Sequence, residues 1–397
     1  MNGLSEWKKD FPSQRIRITN SGREEFKNMD EVWEIVLGKK VGPLQLGLTL
    51  SDAISVFKQR VPVRSFEIEY SDDNPFGMDI AINSSEDGLK LKFNPITQLL
   101  TAIEVYQVNL LTLRYRSSII FGKDISATFL SVYQLLGPTY PGKYNGSTKT
   151  YSLNYHGGTF LFPIPKEFEK IYNKKDSIPV EFPNGRTPSA IGFSIYCGDD
   201  PCSPEPPTPL RCNYFESVFV DMSDMEAIAL SFEATKRSIR LGASPQEIVS
   251  ELGPPASTFF KSSVDPSSSS GEYFHNYPDL GLDILYSGWH AASKIILRTN
   301  IPGHREFNSY IKCNFRLEHL KKPHVRRQTC PAVTPETTWA NLRDAFTLSD
   351  ARPIVNDSGS TTDPFQASMF YELLPGCLVE VLQNETIASI TLSCGLT

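Results

Sequence analysis

A histidine and a cysteine share the stretch T-N-I-P-G-H-R-E-F-N-S-Y-I-K-C, residues 299–313. A thiol becomes a nucleophile when a base or a positive neighbour ionises it, so His304 and Cys313 would be the core of a Cys/His hydrolase. No orienting acid is identifiable beside them. A rigid Pro302-Gly303 turn leaving a strand, with Phe307 and Tyr310 packed below, accounts for the same residues, and Cys313 is read as structural. Ser55-Val56-Phe57-Lys58 fits the serine–lysine pattern of β-lactamases. It lies on a helix whose Leu50, Ile54 and Phe57 take the buried side, which turns Ser55 and Lys58 to solvent. His156-Gly157-Gly158 has the composition of an oxyanion-hole loop. It sits between the strand-like runs Tyr151–Tyr155 and Thr159–Phe162 and reads as a hairpin turn. No phosphate-binding loop, dinucleotide glycine motif, zinc-protease helix or kinase set occurs. The expectation is therefore no catalytic, cofactor-binding or metal residues.

The seven cysteines are irregularly spaced and form no CxxC pair or Cys/His ladder. With no apolar leader near the N-terminus, they read as reduced thiols of a cytoplasmic protein. The net charge of −6 argues against a polyanion-binding protein, and no aromatic-basic motif points to nucleic acid. Lys321, Lys322, Arg326 and Arg327 nevertheless form a basic loop with His324. It would add a modest attraction to an anionic membrane, at most roughly 1 kcal/mol per residue.

The elements that position these residues follow from repeats and periodicity. The sequence L-G-L-T-L-S-D-A-I at 46–54 is answered by L-G-A-S-P-Q-E-I-V at 241–249. Thr49 with Asp52, and Ser244 with Glu247, carry a helix start signal: a hydroxyl N-cap and a carboxylate three residues on. G-L-K-L-K-F at 88–93 is answered at nearly the same offset by G-L-D-I-L-Y at 281–286. Phe66, Ile68 and Tyr70 alternate with Glu67 and Glu69, which is strand periodicity. Fainter second units follow, with helices at 126–136 and 338–346 and strands near 150–162 and 369–392. The expected fold class is α+β, internally duplicated, with two halves each of two helix-plus-antiparallel-meander units. The expected divisions are a flexible 1–28, a first half 29–200, a proline-rich linker 201–212 and a second half 213–397. The second half contains a serine-rich loop at 262–271, expected to be disordered.

Several segments carry a family resemblance. V-G-P-L-Q-L-G-L-T at 41–49, L-G-P-T-Y-P-G-K-Y-N at 136–145, Y-F-H-N-Y at 273–277, L-G-L-D-I-L-Y at 280–286 and T-N-I-P-G-H-R-E-F-N-S-Y-I-K-C-N-F at 299–315 resemble the phagosome assembly factor 1 family of eukaryotic autophagy proteins. Ile301 departs from the pattern, where an aromatic is expected. The resemblance implies a non-catalytic adaptor that pairs with a phosphoinositide-binding WD-repeat β-propeller protein at the phagophore assembly site. Membrane association would then be indirect, with no small-molecule substrate and no nucleic acid. On this reading Pro302, Gly303, His304, Phe307, Asn308 and Tyr310 are the expected partner contacts, and Lys321, Lys322, Arg326 and Arg327 face the membrane. Golgi-to-plasma-membrane trafficking is the alternative role.

Overall fold

The computed structural model describes residues 13–18, 32–60, 64–140, 142–172, 178, 180–224, 227–261, 271–318, 331–346, 348, 353–356 and 367–393. The chain divides into two compact units, Met1–Arg211 and Cys212–Thr397. Lys321, Lys322, Arg326, Arg327 and nearly all of the serine-rich loop lie outside the described residues.

In chain order the strands of the first unit are β1 Ser13–Ile18, β2 Val32–Val36, β3 Lys40–Val41, β4 Leu44–Gln45, β5 Phe66–Ser71, β6 Ile80–Ser84, β7 Leu89–Phe93, β8 Leu100–Val105, β9 Thr112–Tyr115, β10 Ser118–Phe121, β11 Lys143–Asn145, β12 Thr150–Tyr155, β13 Gly158–Pro163 and β14 Gly192–Tyr196. Its helices are α1 Leu50–Gln59, α2 Phe129–Leu136 and α3 Glu169–Tyr172. A nine-stranded sheet runs β1-β5-β6-β7-β8-β14-β13-β12-β11, and a five-stranded sheet runs β10-β9-β2-β3-β4.

The second unit contains β15 Ser217–Asp221, β16 Ala229–Phe232, β17 Ser238–Arg240, β18 Ser257–Phe260, β19 Tyr273–Tyr277, β20 Leu282–Tyr286, β21 Ala292–Arg298, β22 Asn314–Glu318, β23 Ile354–Asn356, β24 Ser368–Leu374, β25 Cys377–Leu382 and β26 Ile387–Ser393, with α4 Pro245–Leu252 and α5 Trp339–Phe346. Its sheets run β18-β19-β20-β21-β26-β25-β24-β23 and β17-β16-β15-β22. Both units thus place strands in one order, with the last four strands of the large sheet returning in reverse. In each, one parallel pair closes the small sheet: β2 with β9, and β15 with β22.

The expected α+β class of four helix-plus-meander units is overturned. The protein is mostly β, with 26 strands against five short α-helices among the described residues. The helix signals are real but brief, and the longest helix among the described residues, α1, has ten residues. The strand after each meander does not extend it. It crosses to pair in parallel with the first strand of the small sheet, β2 or β15, and so builds a second sheet, which makes the repeating element a pair of sheets rather than a helix with a meander.

Local chemistry explains the elements that position the site. Alternation along β7 buries Leu89, Leu91 and Phe93, each at 0 % exposure. Thr49 accepts from Asp52 N to start α1, with Leu50, Ala53, Ile54 and Phe57 buried. Ser244 and Glu247 form a complete capping box at α4, with Pro245 at the first position. In α1, Ser55 donates to Ser51 O and Lys58 is exposed, so both lie off the buried stripe. Gly157 sits in the β12–β13 turn, and the exposed His156 Nδ1 meets Asp199 Oδ1 at 2.8 Å.

Ser244→Ala removes the oxygen that receives Glu247 N and should cost about 1 kcal/mol. For a unit of this size that lowers the melting temperature by roughly 2–4 °C. Differential scanning calorimetry checks it, and an unchanged transition would mean that the cap does not hold α4.

Candidate functional site

The segment between β21 and β22 is fastened at both ends. Thr299 Oγ1 donates to Ile387 O at 2.7 Å and shares Ala388 O at 2.8 Å, which ties the start of the segment to β26. Asn300 takes a left-handed φ of 51°, and its Oδ1 accepts from Asn308 N at 2.6 Å. The chain closes on itself there. Ile301, Pro302 and Gly303 are buried within the bend. At the far end Cys313 N donates to Arg298 O at 2.9 Å. Gly281 permits this close return. Its φ is +67°, and a Cβ would stand 2.6 Å from Ile311 O and 2.8 Å from Cys313 N.

Two buried carboxylates hold the segment against the sheet. Asp283, on β20, is 2 % exposed. Its Oδ1 accepts from Tyr310 Oη at 2.6 Å and Asn276 Nδ2 at 2.7 Å, and its Oδ2 accepts from Arg298 Nη2 at 2.7 Å and Nε at 3.0 Å. Arg298 also pairs with Glu306 and lies 5.2 Å over the Tyr310 ring. Burial works to lower the Arg298 pKa, but Asp283 and Glu306 outweigh it and raise it. Burial, followed by the bond to Asp283, pushes the Tyr310 hydroxyl up, so it stays protonated and donates.

The second carboxylate is Glu380, on β25, 5 % exposed. It accepts from Ser389 Oγ at 2.6 Å and Ser368 Oγ at 2.8 Å, and meets His304 Nε2 at 3.2 Å. His304 Nδ1 accepts from Glu306 N at 3.3 Å. With Nδ1 an acceptor, Nε2 carries the proton and donates to Glu380. Burial raises the Glu380 pKa, but His304 and the two serines overcome it and hold the carboxylate at about 2.

The expected partner residues therefore fall into two groups. Pro302 and Gly303 are buried and shape the bend, and His304 faces Glu380. Phe307, Asn308 and Tyr310 are half-buried. The Cys/His pair is not brought together as a nucleophile and its base. Both His304 nitrogens are engaged elsewhere, and Cys313, 2 % exposed, has its thiol pushed up to about 12 by burial.

Beside the segment lies an open cleft of about 510 Å³. Phe259, Phe274, Asp283, Ile296 and Arg298 line its sheet side, and Glu306, Ser309 and Tyr310 line its loop side. The sequence reading missed this cleft. Its one local signal is Asp283, a carboxylate set inside the apolar run L-G-L-D-I-L-Y.

Glu380 yields a pH prediction. Its folded pKa lies below the ordinary 4.5, so its stabilisation is present above that value and lost as pH falls through about 2. Glu380→Gln should cost about 3 kcal/mol at neutral pH and flatten the acid limb of the stability curve. Urea titrations between neutral and acid pH decide it; an unaltered acid limb would show that Glu380 carries none of that dependence.

A family model described as phagosome assembly factor 1 matches residues 40–393. A PHAF1 protein of Arabidopsis thaliana is 34% identical over 91% of this chain and 92% of its own length. A PHAF1 protein of Drosophila melanogaster is 29% identical over 92% of this chain and 94% of its own. One of Caenorhabditis elegans is 26% identical over 88% and 90%. No solved structure matches the chain. The matched stretch takes in both units and every segment that forms the cleft and its polar supports, and on that extent the chain belongs to the phagosome assembly factor 1 family.

Proposed function

We propose that the chain is a non-catalytic adaptor in autophagosome formation. It works with a phosphoinositide-binding WD-repeat β-propeller protein, and that partner recruits it from the cytoplasm to the phagophore assembly site. The observation that carries this reading is the family match across residues 40–393. The engaged His304 and the buried, protonated Cys313 also favour binding over nucleophilic chemistry.

The 302–310 bend is the proposed partner contact. Pro302, Gly303 and His304 set its shape from within, while Phe307, Asn308 and Tyr310 offer half-exposed surface to the propeller. An ordered loop loses little conformational freedom on docking, which favours affinity. Lys321, Lys322, Arg326 and Arg327 are the proposed membrane-facing residues and add only a screened electrostatic attraction. No helix among the described residues is long and apolar enough to cross a membrane. The partner's lipid sites would therefore supply most of the avidity.

Liposome flotation at ~0.15 M salt tests this division of labour. The purified chain should stay at the bottom of the gradient with phosphoinositide vesicles, and its complex with the propeller partner should float. Strong flotation of the lone chain, abolished by changing Lys321, Lys322, Arg326 and Arg327 to Glu, would make it a lipid reader in its own right.

A further inference from the structure

The two units share one strand order, yet the same edge is treated differently in each. In the first unit β1 covers the outer edge of β5, pairing antiparallel from Ser13 opposite Ser71 to Ile18 opposite Phe66. In the second unit the corresponding strand is β18, the terminal strand of its sheet among the described residues. All four of its residues are exposed, Phe259 at 61 % and Phe260 at 70 %. Edge strands are ordinarily protected by a charge, a proline or a bulge. β18 reads Ser-Thr-Phe-Phe and pairs with β19 in unbroken register, so none of these lies within it; the first charge on that edge is Lys261, just past its end and paired with Glu272.

The outer face beside this edge has also changed chemistry. In the first unit, register aligns Glu69, Ala81 and Lys92 across β5, β6 and β7. Lys90 pairs with Glu69 at 2.8 Å there, which makes a solvated, charged surface. The corresponding row in the second unit is Phe259, Phe274 and Leu285. The neighbouring row, Ser257, Asn276 and Asp283, leads into the cleft. Two carboxylates line that cleft, Asp283 and Glu306, against one guanidinium, Arg298.

The backbone is equally prepared. Lys261 N donates to Glu272 O at 3.0 Å. Strand alternation then turns the N–H and C=O of Thr258 and Phe260 away from β19, toward the edge that no described strand covers.

We propose that the β18 edge and the cleft beside it are a docking site for an extended segment of a partner protein, which adds as a strand antiparallel to β18 with an apolar residue opposite Phe259 and a basic residue opposite Ser257. The first unit supplies the template. There the register sets Arg15 opposite Glu69 and Arg17 opposite Glu67. At β18 the position opposite Phe259 calls for an apolar side chain. The position opposite Ser257 keeps a base, because that row ends at the cleft carboxylates. Main-chain bonds supply affinity and the alternating side chains supply choice, as in other strand-addition complexes. A second copy of the chain is a poorer occupant. Four residues against four fall far short of the ~800 Å² per partner of a standard interface and leave the cleft empty.

The test uses the full chain and two labelled peptides spanning residues 11–20, one unaltered and one carrying Arg15→Leu. Fluorescence anisotropy should show the altered peptide binding at least about tenfold more tightly than the unaltered one. Thr258→Pro removes an outward-facing N–H and spares the β18–β19 ladder, a position where an edge strand tolerates proline. It should weaken binding by about tenfold or more while leaving the melting temperature in place. Phe259→Glu should reverse the preference between the peptides. No binding by the altered peptide, or binding indifferent to both substitutions in folded protein, overturns the proposal. So does a dimer of the unmodified chain that Thr258→Pro dissolves, since that makes a second copy the occupant. The partner's identity does not enter this assay, so its outcome is independent of the flotation result.

Discussion

The surface of the second unit is organised around one buried ion pair. Asp283 and Arg298 have side chains only 3% and 16% exposed. Two charges withdrawn from water are costly unless nearly every lone pair and proton is used. The requirement is met by bringing distant residues to one point: Asn276 from β19, Tyr310 from the bend and Glu306 beside it. The bend lies where it does because the pair needs those partners, and the cleft is the space left between them. Removing one member of such a pair typically costs about 3–5 kcal/mol, since the other is left buried and uncompensated.

Two sheet pairs of one topology have thus been adapted in opposite directions. The outer face of the first unit carries Lys90–Glu69 and Lys92–Glu104 pairs, and a strand from the same chain covers its edge. The second unit replaces that face with aromatic and aliphatic residues, places a desolvated polar cluster next to it, and ends in a strand with four exposed residues. The shared strand order keeps the scaffold, and substitutions along two rows of one sheet change what it meets.

Much of this was legible locally. The capping chemistry of Thr49 and Ser244 placed two helix starts, and alternation of Leu89, Leu91 and Phe93 placed a buried strand. The class was not legible, because the cap signals mark where a helix begins and say little of how short it is. Parallel closure of β2 on β9 joins segments far apart in the chain and leaves no periodic trace. Glu380 meets His304 across 76 residues, so a histidine that looked available for catalysis is occupied by a carboxylate no local pattern connects to it. Ser257–Phe260 is too short and too exposed to show alternation, which hid the edge strand.

The central claim is that Asp283 pins the bend that shapes this surface. Hydrogen–deuterium exchange on Asp283→Asn addresses it most directly, since the change keeps the shape of the side chain and removes its charge. Amides between 299 and 313 should lose protection selectively, with those at Asn308 and Cys313 foremost because their bonds to Asn300 Oδ1 and Arg298 O close the bend. The β24–β26 strands should lose far less protection than the bend, and the first unit should exchange as before. Unchanged protection across 299–313, or an even loss throughout the second unit, would contradict the account.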